Sequence, residues 1–485
     1  MLLSSAVFSL VFVTAALAPL PVALLCSGVL AVQLGKLALS IGMKQAAPAP
    51  THPVPGPQPI FSVHVATHDE PAEMVIRTLA ALAVQDYAAD RFEVIVIDNN
   101  TADPALWRPV EAACATFGPR FRFLHRMGVT GAKAGALNIA LEAARKDTTH
   151  IVTVDADYRV VPSFLSEAAT ALQESGADYV QFPQAYATSV DSPAGVDMEL
   201  EDYFRTDAEM ADGAEAVLLT GTLSVIRRAA LETVGGWSGR TTTEDAELGV
   251  RLCAAGFRGR YIASVTGNGY LPFTLRDLDA QRYRWASGNL RTLFHHLPTL
   301  THPAGRLSPR QVRAMVAQLG AWLNFSLIPA AALSGALILT QQAHPALLRI
   351  AALCILVSLT EIALRLFRRG MHDGRPLGIV LQAFAARLAL APVAARATVD
   401  ACLPTRLRFT VTAKRPETSV SARDVPVDRV VLLALVVLAA PAAFDAEPLV
   451  QLAWGALALP VPAALMVQKQ LLRYRTGIVA QGGMA

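Results

Sequence analysis

Two strongly apolar ends enclose a charged middle in this chain of 485 residues, and that partition limits the fold before any motif is read. A mean hydropathy of +0.39 is too high for a soluble protein of this length, so part of the chain must lie in lipid. Residues 60 to 300 carry 21 Lys and Arg against 31 Asp and Glu, whereas the remainder carries 21 against 8. The middle is therefore −10 and the flanks +13. Basic flanks fit loops held at a cytoplasmic face, and an acidic middle excludes nucleic acid as the expected partner. The cysteines at 26, 114, 253, 354 and 402 are odd in number and show no paired spacing, which indicates neither a disulfide framework nor a zinc site.

Residues 2 to 41 contain one charge, Lys36, and break at Ala18-Pro19-Leu20-Pro21. They read as two helices in a tight hairpin or as one kinked helix, and the long apolar stretch without a basic start argues against a cleaved signal peptide. A spacer with six prolines follows from Ala46 to Pro59. Downstream, apolar runs cover about 316 to 340, 348 to 367, 377 to 399, 430 to 445 and 448 to 467. Three basic clusters, around Arg368, between Arg406 and Arg429, and around Arg473, all fall on one side only if residues 377 to 399 do not cross. That run also carries Arg387 and Arg396, which predicts an interfacial helix. The expected divisions are an N-terminal membrane segment (1–45), the linker (46–59), a cytoplasmic domain (60–300) and a C-terminal membrane region (301–485). Lipid bilayer is thus one expected partner.

From 60 to 160, short β-branched runs alternate with helical stretches. Strands are predicted at Ile60 to Ala66, Phe92 to Ile97, Arg122 to His125 and Ile151 to Val154. Such alternation predicts a mostly parallel βαβ sheet. Ligands of open sheets bind beyond the carboxyl ends of the strands, where Asp69, Asp98, Asp155 and Asp157 fall. A turn or helix cap is the ordinary alternative for each, and for Asp103 before Pro104 the cap is the better reading.

Asp155 and Asp157 follow an apolar strand at i and i+2, so both face one side if the strand persists. Crowded carboxylates repel unless a cation sits between them, which suits Mg²⁺ or Mn²⁺ shared with phosphates; a solvated turn is the competing reading. The segment from Gly131 to Asn138 opens a helix with small residues and Lys133, able to meet a diphosphate or simply to make a loop-to-helix turn. Thr243-Glu244-Asp245 begins another helix, either as an ordinary acidic first turn or with one carboxylate poised to take a proton. Gln281, Arg284 and Trp285 share one helix face, with an arginine fork for phosphate and a flat ring for a sugar. An interfacial amphipathic helix would use Arg and Trp similarly.

Asp98, then Asp155-Ala156-Asp157, then Thr243-Glu244-Asp245, then Gln281-Arg-Tyr-Arg284-Trp285 is an ordered set that resembles the processive membrane synthases of inverting glycosyltransferase family two, typified by bacterial cellulose synthase and β-glucan relatives. The resemblance covers roughly 60 to 300 and extends to Phe409-Thr410-Val411-Thr412, which is similar to a gating loop of that family and lies within 400–428. It implies an α/β nucleotide-sugar-binding domain of GT-A-like fold, inserted in an α-helical transmembrane region. It further implies that Asp69 and Asp98 hold uridine, that Lys133 and Arg284 hold the diphosphate, and that Asp157 with Asp155 holds the metal. Asp245, with Glu244 beside it, would be the base. Trp285 would be the platform for the acceptor's terminal sugar, Gln281 would also contact substrate, Gln181-Phe182-Pro183-Gln184 would lie near the acceptor, and Phe409 and Thr412 would help close the site. The family's first strand ends in a Tyr-Asn-Glu-like triplet, whereas this chain has Thr67-His68-Asp69-Glu70, which leaves the part played by His68 open. Because the last apolar run is followed so soon by Ala485, a cyclic-di-GMP-binding domain is not expected at that end.

The expected partners are a UDP-sugar donor, a polysaccharide acceptor and accessory export subunits, at a bacterial inner membrane. Glucose is the sugar that the resemblance favours. A nonprocessive enzyme with a lipid acceptor, and a noncatalytic channel or scaffold that keeps the nucleotide fold, are the alternatives.

Overall fold

The computed structural model describes residues 2–41, 58–186, 192–302, 305–323, 326–342, 344–403 and 427–480. Its strands are β1 (Phe61–Thr67), β2 (Phe92–Asn99), β3 (Phe121–Arg126), β4 (His150–Thr153), β5 (Arg159–Val160), β6 (Tyr179–Gln181), β7 (Ser224–Arg227), β8 (Gly259–Tyr261) and β9 (Gly267–Asn268). Seven of them form one sheet in the order β3-β2-β1-β4-β7-β6-β8, while β5 pairs with β9. The first four run parallel, and β7 is antiparallel to both its neighbours.

Helices cover both faces, which is why β2 is buried at every position and its centre, Val94 to Ile97, is a continuous apolar run rather than an alternating one. Val94 and Val96 enter one core with Val63, Val65, Leu79 and Phe164. Ile95 and Ile97 enter the other with Leu137, Trp237 and Leu248. This second core does not stop at residue 300. Met315 and Leu319 belong to it, and Gln318 accepts from Leu218 N and donates to Ala216 O, each at 2.9 Å. The boundary expected at 300 therefore moves past Leu319. The apolar run expected over 316–340 splits accordingly into Pro309–Leu319, which packs on the sheet domain, and the short apolar helix Leu327–Leu339.

Helices at both ends mark a membrane protein. Pro19–Ala38, Pro345–His372, Leu377–Cys402 and Pro448–Ile478 are long and apolar enough to cross a bilayer. At the N-terminus, Leu2–Leu17 and Pro19–Ile41 meet at the single residue Ala18, where proline supplies no N–H to continue the ladder. The first packs on Leu327–Leu339 and the second on Pro345–His372. Leu377–Cys402, expected as an interfacial helix, packs on Ala194–Glu201 and Leu275–Thr301 of the sheet domain as well as on Pro460–Ala480. Its Arg387 meets Glu199 at 2.7 Å and Arg396 lies over the Tyr283 ring, so protein groups rather than lipid headgroups receive both cations.

Candidate active site

Beyond the carboxyl ends of β1, β2 and β4 lies a cavity of about 380 Å³. Its wall includes Lys133, Asp155, Asp157, Glu244 and Asp245, and also Gln281, Arg284 and Trp285. Residues separated by more than 150 positions thus share one enclosure, because the sheet gathers its strand ends and the helix Leu275–Thr301 closes over them.

Lys133 starts the helix Ala132–Ala143, which is entered through Gly131 in the left-handed conformation at φ 81°. Its ammonium donates to Asp155 Oδ1 at 2.5 Å and to the Gly221 carbonyl at 2.9 Å, and lies 4.0 Å from Glu244. Burial opposes its charge, but Asp155 and Glu244 outweigh that and raise its affinity for the proton. The small residues have a packing reason: a Cβ on Gly135 would meet the Thr130 carbonyl at 1.9 Å. Asn138 exchanges two 2.9 Å hydrogen bonds with the Trp237 backbone, pinning the Gly235-Gly236 turn.

Strand β4 ends at Thr153, so Asp155 and Asp157 do not continue a strand. They lie on a turn closed by Tyr158 N donating to Asp155 O at 3.0 Å, and both carboxylates line the cavity through that turn. Asp98 behaves differently from the expectation of a ligand-facing carboxylate. It is buried beside Thr67 and His125, its cross-strand neighbours. Its oxygens accept from Thr67 at 3.0 Å and Thr101 at 2.8 Å and pair with His125 at 2.9 Å. Neither Asp98 nor Asp69 lines the cavity; His68, Glu70, Asn99 and Asn100 do. Asp69 has φ 54°, held by its N–H donating to Thr101. Asp103 caps Pro104–Thr116 by accepting from Ala105 N at 2.9 Å.

Glu244 and Asp245 open the helix Glu244–Ala254, and Thr243 makes no side-chain cap there. Burial, reinforced by Glu244 and opposed by Lys133, pushes the Asp245 carboxyl up to about 7. Its Oδ1 accepts from Ala246 N at 2.8 Å. A Cβ on Gly221, whose φ is +86°, would stand 2.8 Å from the other oxygen, so this carboxylate reaches the cavity over a position that only glycine fits.

Trp285 continues into aromatic groups that the sequence did not single out. Its ring stacks on Trp322 at 5.9 Å and meets Phe204 edge-on at 5.4 Å, and Tyr203 lies 4.2 Å from Trp322. Trp322 sat within an apolar run and gave no separate signal. Arg282, one position from Gln281, is fully buried in a two-pronged pair with Glu199 at 2.9 and 2.7 Å and covers the Trp322 ring. Gln281 Oε1 is buried without a hydrogen-bond partner among the described residues. Gln184, which donates to Thr220 O at 2.5 Å, also lines the cavity. Phe409 and Thr412 lie outside the described residues. On either side of them, Asp400 accepts from Tyr283 at 2.7 Å and Arg429 pairs with Asp279 at 2.7 and 2.8 Å, so the same helix holds both flanks.

The donor set fits a divalent cation. Four carboxylates, Asp155, Asp157, Glu244 and Asp245, line the cavity against the cations of Lys133 and Arg284, and hard oxygen donors suit Mg²⁺ or Mn²⁺. Asp155 and Asp157 would hold it. A second group, Glu247, His295 and His296, is less suited because Arg251 and His296 already bond both oxygens of Glu247.

A mostly parallel sheet with one interior antiparallel strand, acidic turns at its carboxyl edge and a closing Q-x-x-R-W helix define a nucleotide-sugar transferase domain of GT-A-like fold. The chain carries a family 2 glycosyltransferase domain: residues 62–235 match "Glycosyl transferase family 2" and residues 150–364 match "Glycosyl transferase family group 2". It is 29% identical over 240 residues to glucomannan 4-beta-mannosyltransferase 2 of Arabidopsis thaliana, covering 47% of this chain and 44% of the relative. It is 30% identical over 246 residues to the UDP-forming cellulose synthase catalytic subunit of Xanthomonas axonopodis pv. citri, covering 49% of this chain and 32% of that one. The matches thus span less than half of each relative. Among solved structures, a mannosyltransferase of Pyrobaculum calidifontis, in complex with GDP-Man and Mn²⁺, shares the fold with a TM-score of 0.53 at 18% identity, covering 79% of this chain and all of that one.

Proposed function

We propose that the chain is a membrane-embedded inverting glycosyltransferase that moves a hexose from a nucleoside-diphosphate sugar onto a growing β-linked polysaccharide. One observation carries this reading: Asp245 shares a cavity with Lys133, Asp155 and Asp157 on one hand and with Arg284 and Trp285 on the other. Lys133 and Arg284 meet the diphosphate, and His68, Asn99 and Asn100 line the nucleoside end. Asp98 acts from beneath, by fixing Thr67 and Thr101. Asp69 contributes through the conformation it gives the end of β1. Trp285 receives the terminal acceptor sugar, with Gln281 beside it.

An unprotonated Asp245 takes the proton of the acceptor hydroxyl as that oxygen attacks the anomeric carbon; the bond to the diphosphate breaks and the configuration inverts. Glu244 keeps the Asp245 carboxyl basic by repulsion. Asp155 and Asp157 would hold a divalent cation, which would supply charge neutralisation for the leaving diphosphate. The acidic domain faces the cytoplasm of a bacterial plasma membrane, a reading supported by the basic flanks. Product passes outward through the helices, with accessory export subunits as partners and Phe409 and Thr412 at the closing segment.

UDP-glucose is the favoured donor, and relatives named as mannosyltransferases support GDP-mannose as the second. The test supplies purified full-length protein with either sugar nucleotide and Mg²⁺ or Mn²⁺, and reads nucleotide release and product linkage. A β-linked polymer from one donor is expected. A single sugar on lipid would replace this reading by the lipid-acceptor one, and no release from any donor would leave a noncatalytic scaffold.

A further inference from the structure

The sheet domain contacts the membrane helices through a segment with unusual geometry. After the helix Ala194–Glu201 the chain forms a π-helical turn, Asp202–Asp207, before resuming as Ala208–Asp212. Such turns are rare insertions in helices and are frequent at functional sites. Arg365, from the helix Pro345–His372, grips this one. Its guanidinium meets Asp202 Oδ2 at 2.6 Å and the two oxygens of Asp207 at 3.1 and 2.7 Å. The nitrogen that meets Asp207 Oδ2 also donates to the Asp202 carbonyl at 3.2 Å.

The spacing explains the geometry. Residues five apart on an α-helix diverge by about 140° and could not grip one guanidinium, whereas i to i+5 bonding brings them to one face. Both carboxylates are almost fully buried, at 0% and 3% exposure, so unpaired they would repel each other strongly. Arg387 adds a contact to Asp202 at 3.4 Å from a second apolar helix.

The turn's other residues face the acceptor platform. Tyr203 lies against Trp322 and Phe204 meets Trp285 edge-on, while Asn289 donates to Tyr203 at 3.1 Å.

Resting on the reading of Trp285 as acceptor platform, we propose that Arg365 is a positioning residue: by bridging Asp202 and Asp207 it holds the π turn that braces Trp322 and Trp285. A membrane helix thereby sets how well the transferase domain receives its acceptor.

The experiment compares the full-length protein with Arg365→Met and Asp207→Asn. Asp207→Asn keeps the side-chain shape and serves if Arg365→Met does not fold. Cellohexaose and mannohexaose are titrated without donor, following tryptophan fluorescence, and nucleotide release is measured separately with UDP-glucose and GDP-mannose. The expected result is at least a tenfold loss of oligosaccharide affinity in the variants, with acceptor KM rising and donor KM unchanged. Equal affinity in wild type and variants, no binding of either hexasaccharide to wild type, or donor and acceptor KM rising together, as general destabilisation would cause, overturns the inference. A wild type that binds oligosaccharide through an Arg365-dependent platform yet releases no nucleotide overturns the proposed transferase function instead, leaving the positioning role standing.

Discussion

Lys133 and Asp155 form a 2.5 Å ion pair, and the same ammonium reaches the Gly221 carbonyl at 2.9 Å. One cation thus ties the turn after β4 to the segment leading into β7 at the centre of the cavity. Replacing it, as Lys133→Met, removes a preorganised positive group from where negative charge develops. Transfer should fall roughly 10²- to 10³-fold, measured as kcat for nucleotide release in the presence of acceptor. Loss of less than about tenfold would show that Lys133 is only a structural tie.

The Asp245 carboxyl, pushed up to about 7 first by burial and then by Glu244, predicts an acid limb. Below that value the group holds its proton and cannot take another, so kcat/KM should rise with pH through about 7 and then level. Lys133 draws the value down, so the limb in Lys133→Met should move to higher pH. For stability the sign is opposite. Between its ordinary 3.8 and about 7 the native state holds the proton that the unfolded state has released, so this group's contribution declines as pH rises through that window. Asp245→Asn should reduce transfer by about 10²- to 10⁴-fold while nucleotide affinity, measured by calorimetry, stays unchanged.

Gly221→Ala introduces a Cβ 2.8 Å from Asp245 Oδ2 at a backbone φ of +86°. Left-handed strain of about 1–2 kcal/mol adds to displacement of the carboxylate. Transfer should drop by at least about tenfold, since roughly 1.4 kcal/mol in the barrier suffices for that. A variant with wild-type kcat would mean that Asp245 tolerates displacement and is not the base.

Glu199→Gln tests the buried network under the platform. Glu199 is fully buried and neutralises both Arg282 and Arg387. Its loss strands Arg282 and leaves Arg387 with the longer contact to Asp202 at 3.4 Å, which should cost about 3–5 kcal/mol, seen as a lower thermal midpoint in detergent. Combining it with Arg282→Met should recover part of that loss; an unchanged midpoint in the single variant would show that water or lipid headgroups already neutralise these arginines.

The parallel core was legible because β-branched runs buried on both faces, such as 92 to 97, leave a periodic trace in the chain. Asp103 was legible as a cap because capping is local. The role of Asp98 was not, since its partners Thr67 and His125 come from neighbouring strands remote in the chain. The extent of the packed core was not legible for a related reason: Met315 and Leu319 are apolar because they pack into the second core of the sheet domain, and apolarity alone does not distinguish a protein core from lipid.

Residue order alone determined that this is a membrane chain with an acidic α/β domain bearing Asp155, Asp157, Asp245 and Trp285, because hydropathy, charge and strand-helix alternation are local properties. Tertiary structure decided which of those groups share a cavity, that Asp98 serves beneath its floor, and that Arg365 reaches a π turn more than 150 residues earlier. Those facts depend on burial and on distances between segments remote in the chain, and only the packed sheet and helices set them.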